Sequence, residues 1–395
     1  MDEEVSIFMN PKFLLGVMAF WYCHITKRIF DSVYLTSNVI VDEEFHLALG
    51  KAYCELDFTK WDPKVTTLPG LYLVSSLILA PFNACTTYWL RSVSIVASYI
   101  NIYMFFMIYN RTSDDQYKNV LAAFCMALLP PMFFFSLLYY TDIVGISLVL
   151  TMISFGEEDR HFLASIFGIL SVICRQNNIV WVALVAGKHF LGGLHKIAIS
   201  RNLQEIEDGC FIPARNLRLF LKQLRRRLHI ILMNMPPEFI LDCASYFSVF
   251  IALAVFIYDN GSIVVGDKTA HEAVIHIPQL FYFSIFCMIF AWPYFVCEVK
   301  SFIVFAIRHK LVIIASVVLG LVIVHFNTLV HPYLLADNRH YFFYIWNRFY
   351  GKYQFVRYVM VPVYIFAWYA IIKMIYNKKG CQIRYFVSAL CYSLP

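Results

Sequence analysis

Long apolar runs separated by short polar breaks recur from one end of this chain to the other, and they constrain its fold more than any other feature. They fall at about 11–30, 68–82, 92–109, 119–138, 143–155, 161–174, 178–195, 237–258, 278–298, 310–327, 355–376 and from about 383 to the end. Inside a bilayer every backbone N–H and C=O must find a partner within the protein. Continuous apolar runs therefore imply helices, whereas alternating patterns would imply a barrel. Here the runs are continuous. Of the 395 residues, 60% are hydrophobic and 15% charged, where soluble domains carry roughly 25% charged residues; the mean hydropathy is +0.64. The expected fold is an all-α polytopic membrane protein forming one integral domain over residues 1–395. The aromatic content of 18% exceeds what interfacial belts need, so many Phe and Tyr are expected at helix contacts. The acidic start Met1-Asp2-Glu3-Glu4 is unlike a signal peptide's basic n-region, and residues 11–25 read as an uncleaved first span.

Topology turns on the run 68–82. Pro69 and Pro81 bound it only twelve residues apart, short of the ~20 residues a crossing requires. Between Lys196 and Arg227 lie eight basic and three acidic residues. If 68–82 lies in one leaflet, this loop of about 196–230 is cytosolic, as the positive-inside rule favours. Arg308/Lys310 and Lys378/Lys379 then fall on the same side. The opposite, lumenal side receives a first loop of about 31–90, together with Tyr139–Asp142, Arg175–Asn178, Gly266–His271 and His331–His340. The sequence LRLFLKQLRRRLHIIL in the basic loop reads as a topology-setting segment or a membrane-surface helix.

The lumenal motifs hold the candidate chemistry. Val41–Tyr72 gathers Asp42, Glu43, Glu44, His46, Asp62 and Lys64 beside the first span. Acids at a membrane surface suit deprotonation of a sugar hydroxyl at a site that also receives a lipid-borne donor. Asp42 leads as general base and Glu43 follows; the competing role for either is a helix start, since Asp-Glu-Glu before FHLAL suits an N-terminus. A departing phosphate needs forked cations and oriented donors. Arg339 and His340, flanked by Asp337 and Asn338, fit that role, with Arg175 and Gln176 as a second set. A cation between spans is costly without a partner, so Arg175 could pair with a neighbouring helix. Asp142 could be that partner or position the acceptor. Asp62, Lys64, Asp267 and His271 are weaker substrate-binding candidates.

Other chemistries lack their patterns. There is no G-x-G-x-x-G, P-loop or G-x-S-x-G, which favours a lipid-linked over a nucleotide-linked donor. No His-x-x-x-His pairing supports a required metal, and the expectation is no metal and no cofactor. The eleven Cys stand singly, without a CxxC pair, and read as small apolar core residues rather than disulfides or ligands. A transporter of a polyprenyl-linked substrate would place its charges near the midplane on broken helices; here they sit mainly in loops.

VDEEFHLALGKAYC, WDPKVTTLPGLY, LYYTD, CRQNNIVW, GDKTAHEA, HIPQLFYF and HPYLLADNRHYFFYIW, in this order along nearly the whole chain, resemble the dolichyl-phosphate-glucose-dependent α-1,2-glucosyltransferases of the N-glycosylation pathway. The resemblance implies a GT-C fold of about ten to eleven transmembrane helices in the endoplasmic reticulum membrane, with its active site facing the lumen. It also implies dolichyl phosphate glucose as donor, a dolichyl-diphosphate-linked oligosaccharide as acceptor, inverting transfer without an obligatory metal, and Asp42 as the catalytic acid of the first lumenal loop. The family continues past the point where this chain ends, at Pro395, so a C-terminally truncated form is expected, with an inactive accessory subunit as the alternative function. Asp142 stands where relatives can carry Glu, which makes its role positional.

Overall fold

The computed structural model describes residues 10–40, 42–200, 233–268, 274–330 and 341–377. Among them all regular structure is helical. The chain divides into two compact units: Met1–Leu35, Gly50–Asp57 and Thr67–Ile263 form the first, and Thr36–Leu49, Phe58–Thr66 and Val264–Pro395 form the second.

The first unit begins with α1 (Pro11–Thr36). Helix α2 (Glu43–Cys54) starts in the second unit and ends in the first. Next comes α3 (Gly70–Leu79), extended by a 3₁₀ turn over Ala80–Phe82. Its ten residues span about 15 Å, half of a hydrocarbon core of about 30 Å. With its 3₁₀ turn α3 remains, like the helix His161–Cys174, among the shorter apolar helices. Then follow α4 (Thr87–Asn110), α5 (Gln116–Ala127), α6 (Pro130–Ser136), α7 (Thr141–Glu157), α8 (His161–Cys174), α9 (Ile179–Ser200) and α10 (Pro237–Asn260). The apolar run 119–138 is not one straight helix. Pro130 and Pro131 start a new helix, bent by 63° from α5, because Pro lacks an N–H and fits the first turn of a helix rather than its interior.

Two kinds of contact hold this unit. Tyr22 of α1 makes edge-on contacts with Tyr99, Phe124 and Phe133 at ring-centroid distances of 6.0–6.4 Å, so aromatics do line helix contacts. Helices α4, α7 and α8 instead meet through small polar residues. Buried Ser94, Ser98, Asn101, Ser147, Thr151, Ser165 and Ser171 let the backbones approach. Ser98, Thr151, Ser165 and Ser171 return their hydroxyls to their own helices, as from Thr151 Oγ1 to the Ser147 carbonyl at 2.8 Å, whereas Ser147 Oγ reaches the Ala97 carbonyl of α4 at 3.5 Å.

The second unit contains α11 (Pro278–Phe290), α12 (Trp292–Arg308), α13 (Lys310–Asn327), α14 (Tyr341–Ile345), a π turn over Trp346–Tyr350, α15 (Val356–Val359) and α16 (Val361–Asn377). The apolar run 278–298 is broken too: α12 leaves α11 at 109° across Ala291, with Pro293 in its first turn. Among the described residues, four helical stretches suffice by length and composition to cross a membrane, or up to six if each bent pair is one span. Large apolar side chains such as Leu311, Leu319 and Phe326 point outward from α13 at 82%, 60% and 79% exposure, a surface suited to lipid rather than water.

Candidate functional site

In the second unit, Asp42 occupies the N-cap of α2. Its carbonyl accepts from Phe45 N–H at 3.1 Å and His46 N–H at 3.3 Å. Its carboxylate is exposed and makes no hydrogen bond among the described residues. Glu43, the next residue, is completely buried. Its backbone N–H donates to the Ile40 carbonyl at 3.0 Å, and its Oε2 accepts from Ile40 N–H at 3.4 Å. Glu43 thus clamps the chain's entry into the helix. Glu43 and Glu44 in the first turn and Lys51 in the last also complement the helix dipole.

The WDPKVT segment is a hydrogen-bonded turn. Asp62 Oδ1 accepts from Lys64 N–H at 2.9 Å, and Trp61 Nε1 donates to the Val65 carbonyl at 3.2 Å. Lys64 Nζ sits 4.5 Å from the centre of the Phe45 ring. The turn is tied to Val264–Asp267, with Val265 N–H donating to the Thr66 carbonyl at 3.2 Å and Asp267 N–H to the Pro63 carbonyl at 2.8 Å. Only glycine serves at 266: its φ is +75°, and a Cβ would lie 2.4 Å from the Pro63 oxygen. The Asp62 and Asp267 motifs, far apart in sequence, are therefore joined through backbone. His276, in the HIPQ motif, accepts through Nε2 from Leu329 N–H at 3.3 Å; burial pushes this imidazole below its usual range, in keeping with a neutral acceptor. Asn327 bridges the same segment, accepting from Ile277 N–H at 2.7 Å and donating to the Ile275 carbonyl at 2.9 Å. His271 and Asp337, Asn338, Arg339 and His340 lie outside the described residues.

In the same unit, α11, α12, α13 and α16 line an open apolar cavity of about 580 Å³, reaching from Phe281 and Gly320 to Lys373. Lys373 donates to Glu298 Oε2 at 2.5 Å and to Ser301 Oγ at 2.7 Å.

In the first unit, Asp142 and Arg175 form an ion pair between Asp142 Oδ1 and Arg175 Nη1. Asp142 is in the first turn of α7, and Arg175 is the extended residue that ends α8, at φ −150° and ψ 120°. Both side chains remain about a third accessible, 30% and 37%. Asn178, held by its Nδ2 to the Ser171 carbonyl at 2.8 Å, and buried Gln176 fix the turn that presents the arginine. Gly70 opens α3 directly against this turn. A Cβ there would lie 2.6 Å from Cys174 N, so the close packing of α3 on α8 requires glycine. Tyr139, fully buried, donates to Ser75 Oγ of α3 at 2.8 Å. Hence LYYTD, CRQNN and LPGLY meet at one end of this unit.

Residues 36–395 match the DIE2/ALG10 family, and Asp42, Asp142 and Arg175 all lie inside the match. The chain belongs to the DIE2/ALG10 family. It is 40% identical over 338 residues to the Drosophila melanogaster Dol-P-Glc:Glc(2)Man(9)GlcNAc(2)-PP-Dol alpha-1,2-glucosyltransferase, covering 84% of this chain and 73% of that protein. To proteins of the same name it is 32% identical over 380 residues in Rattus norvegicus, covering 90% and 79% of the two chains, and 32% identical over 362 residues in Homo sapiens, covering 86% and 75%. No solved structure matches the chain.

Three features escaped the sequence reading. Arg91 of α4 is 2% exposed; it lies one residue before the apolar run assigned to 92–109, where a lone cation at the edge of a span would have flagged it. His161, His189 and Asp242 gather in the first unit, from positions too scattered to form a motif. The third is a correction. Cys54, at the end of α2, and Cys85, before α4, form a disulfide with Cα atoms 6.2 Å apart, so these two cysteines are not simply core residues. The bridge closes a loop of 31 residues' separation, worth about 3–4 kcal/mol on the chain-entropy estimate. Cys85→Ser is expected to lower the melting temperature of the purified protein clearly, and the wild-type chain to migrate faster on non-reducing than on reducing gels.

Proposed function

We propose that this protein transfers glucose from dolichyl phosphate glucose to the terminal glucose of a diglucosylated dolichyl-diphosphate oligosaccharide, forming an α-1,2 linkage by inversion. Family membership carries the reading: relatives bearing that activity in their names match the chain along most of its length. Asp42 is the general base. It takes the proton of the acceptor 2-hydroxyl, the oxygen attacks the anomeric carbon, and the bond from that carbon to the phosphate oxygen breaks. The β-linked donor thereby gives an α product, and dolichyl phosphate leaves. Its exposure on a fixed helix start favours Asp42 over Glu43, which is buried and occupied with Ile40. Arg339, His340 or Arg175 supplies the cation for the developing phosphate charge, with Arg175 held by Asp142. Asp337, Asn338, Gln176, Asp62 and His271 bind substrate, and no metal or cofactor takes part. The apolar cavity bounded by Phe281, Gly320 and Lys373 suits a polyprenyl chain.

The site faces the lumen of the endoplasmic reticulum. The Cys54–Cys85 bridge supports this placement, since disulfides persist in oxidising compartments. A GT-C arrangement is part of this reading, with spans assigned to α1, α4, α5/α6, α7, α8, α9, α10, α11/α12, α13 and α16, of which four to six qualify by length and composition alone. Microsomes in which this chain is the only source of the activity should add one glucose to the diglucosylated acceptor, removable by an α-1,2-specific glucosidase. Absence of transfer overturns the assignment. Glycosylation acceptors introduced at positions 60, 200 and 335 should be modified at the first and third only; modification at 200 but not at 60 would reverse the topology.

A further inference from the structure

At the end of α8 opposite Arg175 lies a cluster that the glucosyl-transfer reaction does not use. His161 opens α8, His189 is in the middle of α9 and Asp242 in the second turn of α10. One ligand atom from each falls within 4.8 Å of the other two. The imidazole rings are in contact, with centroids 3.5 Å apart. His161 is 5% exposed, and Nε2 of both His161 and His189 is buried without a hydrogen-bond partner.

Two orphaned buried nitrogens side by side are costly whichever tautomer is drawn, because a lone pair lacks a donor or an N–H lacks an acceptor. Nearby carboxylates do not relieve them. His189 Nε2 is 3.7 Å from Asp242 Oδ2, and His161 Nε2 is 3.6 Å from Asp159 Oδ1, both beyond hydrogen-bond distance. These separations fit something else. Two ligands each about 2.0–2.1 Å from a tetrahedral metal lie roughly 3.3 Å apart, so His189 Nε2 and Asp242 Oδ2, 3.7 Å apart, need shift only slightly to share an ion. His161 Nδ1 meets the Tyr246 hydroxyl at 3.1 Å, an outer-shell partner of the kind that fixes a ligating imidazole with Nε2 free for the metal. Neighbouring Glu157 and Glu158 are matched with Lys188 and Arg111, while Asp159, 3.6 Å from His161 Nε2, adds negative charge beside the cluster.

We propose that His161, His189 and Asp242 bind a transition-metal dication, Zn²⁺ by ligand type, which pins α8, α9 and α10 together at the end of α8 opposite Arg175. Two imidazoles and one carboxylate suit Zn²⁺ and disfavour Mg²⁺ or Ca²⁺, which take oxygen ligands. The full chain, purified in detergent, stripped with chelator and dialysed against Zn²⁺, should retain about one Zn²⁺ per chain. It should also melt at a higher temperature than in chelator, with no such rise in Mg²⁺. His189→Ala and Asp242→Ala should abolish both the bound metal and the thermal response. His189→Cys, which restores a ligand, should recover them. His195→Ala, an exposed imidazole on the same helix, should retain them, and so controls for loss of folding. Failure of the wild-type chain to retain Zn²⁺, equal retention by the His189→Ala and Asp242→Ala variants, or an equal response to Mg²⁺ overturns the site. Because metal content and melting are read without sugar transfer, the result is independent of the proposed reaction.

Discussion

Asp42→Asn is expected to lower glucose transfer by about 10²–10⁴-fold, the usual contribution of a positioned general base, while leaving folded yield and donor binding almost unchanged. The structure separates these readouts. Asp42 caps α2 through its carbonyl, which accepts from Phe45 and His46 N–H, and its carboxylate is exposed. Asn is the same size, is itself a favoured N-cap residue and removes only the basic oxygen. Glu43→Gln should behave in the opposite way. Its side chain is buried and accepts from Ile40 N–H. Gln can keep that acceptor but brings an amide N–H₂ into a site built for a carboxylate, a loss of roughly 1–3 kcal/mol in stability with turnover per folded molecule largely retained. The pair is to be measured together, as transfer rate per folded protein in microsomes alongside melting temperature. Normal turnover in Asp42→Asn with collapse in Glu43→Gln would reverse the two roles.

Much of this was legible in the sequence because membrane helices announce themselves by length and continuity of apolar residues. Most of the long described helices overlap the apolar runs, and the stretch between Pro69 and Pro81 is as short as its spacing implies. What the runs conceal is direction within them. Pro130-Pro131 and Pro293 sit inside stretches whose average hydropathy is uninterrupted, so bends of 63° and 109° are invisible to a window that ignores backbone chemistry. The pairing of Asp142 with Arg175, one of two roles open for that aspartate, follows from the cost of a lone cation beside a span. Side chains brought together from distant helices were not legible: Cys54 and Cys85 share no spacing motif, and His161, His189 and Asp242 lie on three different helices. The lumenal assignment of the first loop was the missed signal for the disulfide, since an oxidising compartment changes what a lone cysteine implies.

The second large effect is expected at Arg175. Arg175→Ala should reduce kcat by about 10²–10³-fold, the scale seen when one preorganised donor to a developing charge is removed. An arginine that served only as an ion-pair partner would behave differently, and the Asp142 pair makes the two cases separable. If the pair is purely structural, each single alanine variant leaves one charge without its partner, and removing both should restore much of the lost function, because an unmatched charge rather than the absent pair does the damage. If Arg175 meets the departing phosphate, Arg175→Ala and the double variant should be equally slow, while Asp142→Ala alone should be milder and appear mainly as a raised KM through a less firmly held guanidinium. Arg175→Lys adds a further discrimination. Lysine keeps the charge but not the planar fork, so an intermediate kcat, with little change in melting temperature, is expected. Measured as a double-mutant cycle on kcat and KM for dolichyl phosphate glucose, full recovery in the double variant would remove Arg175 from the chemistry and leave it as the residue that holds the end of α8 to the start of α7.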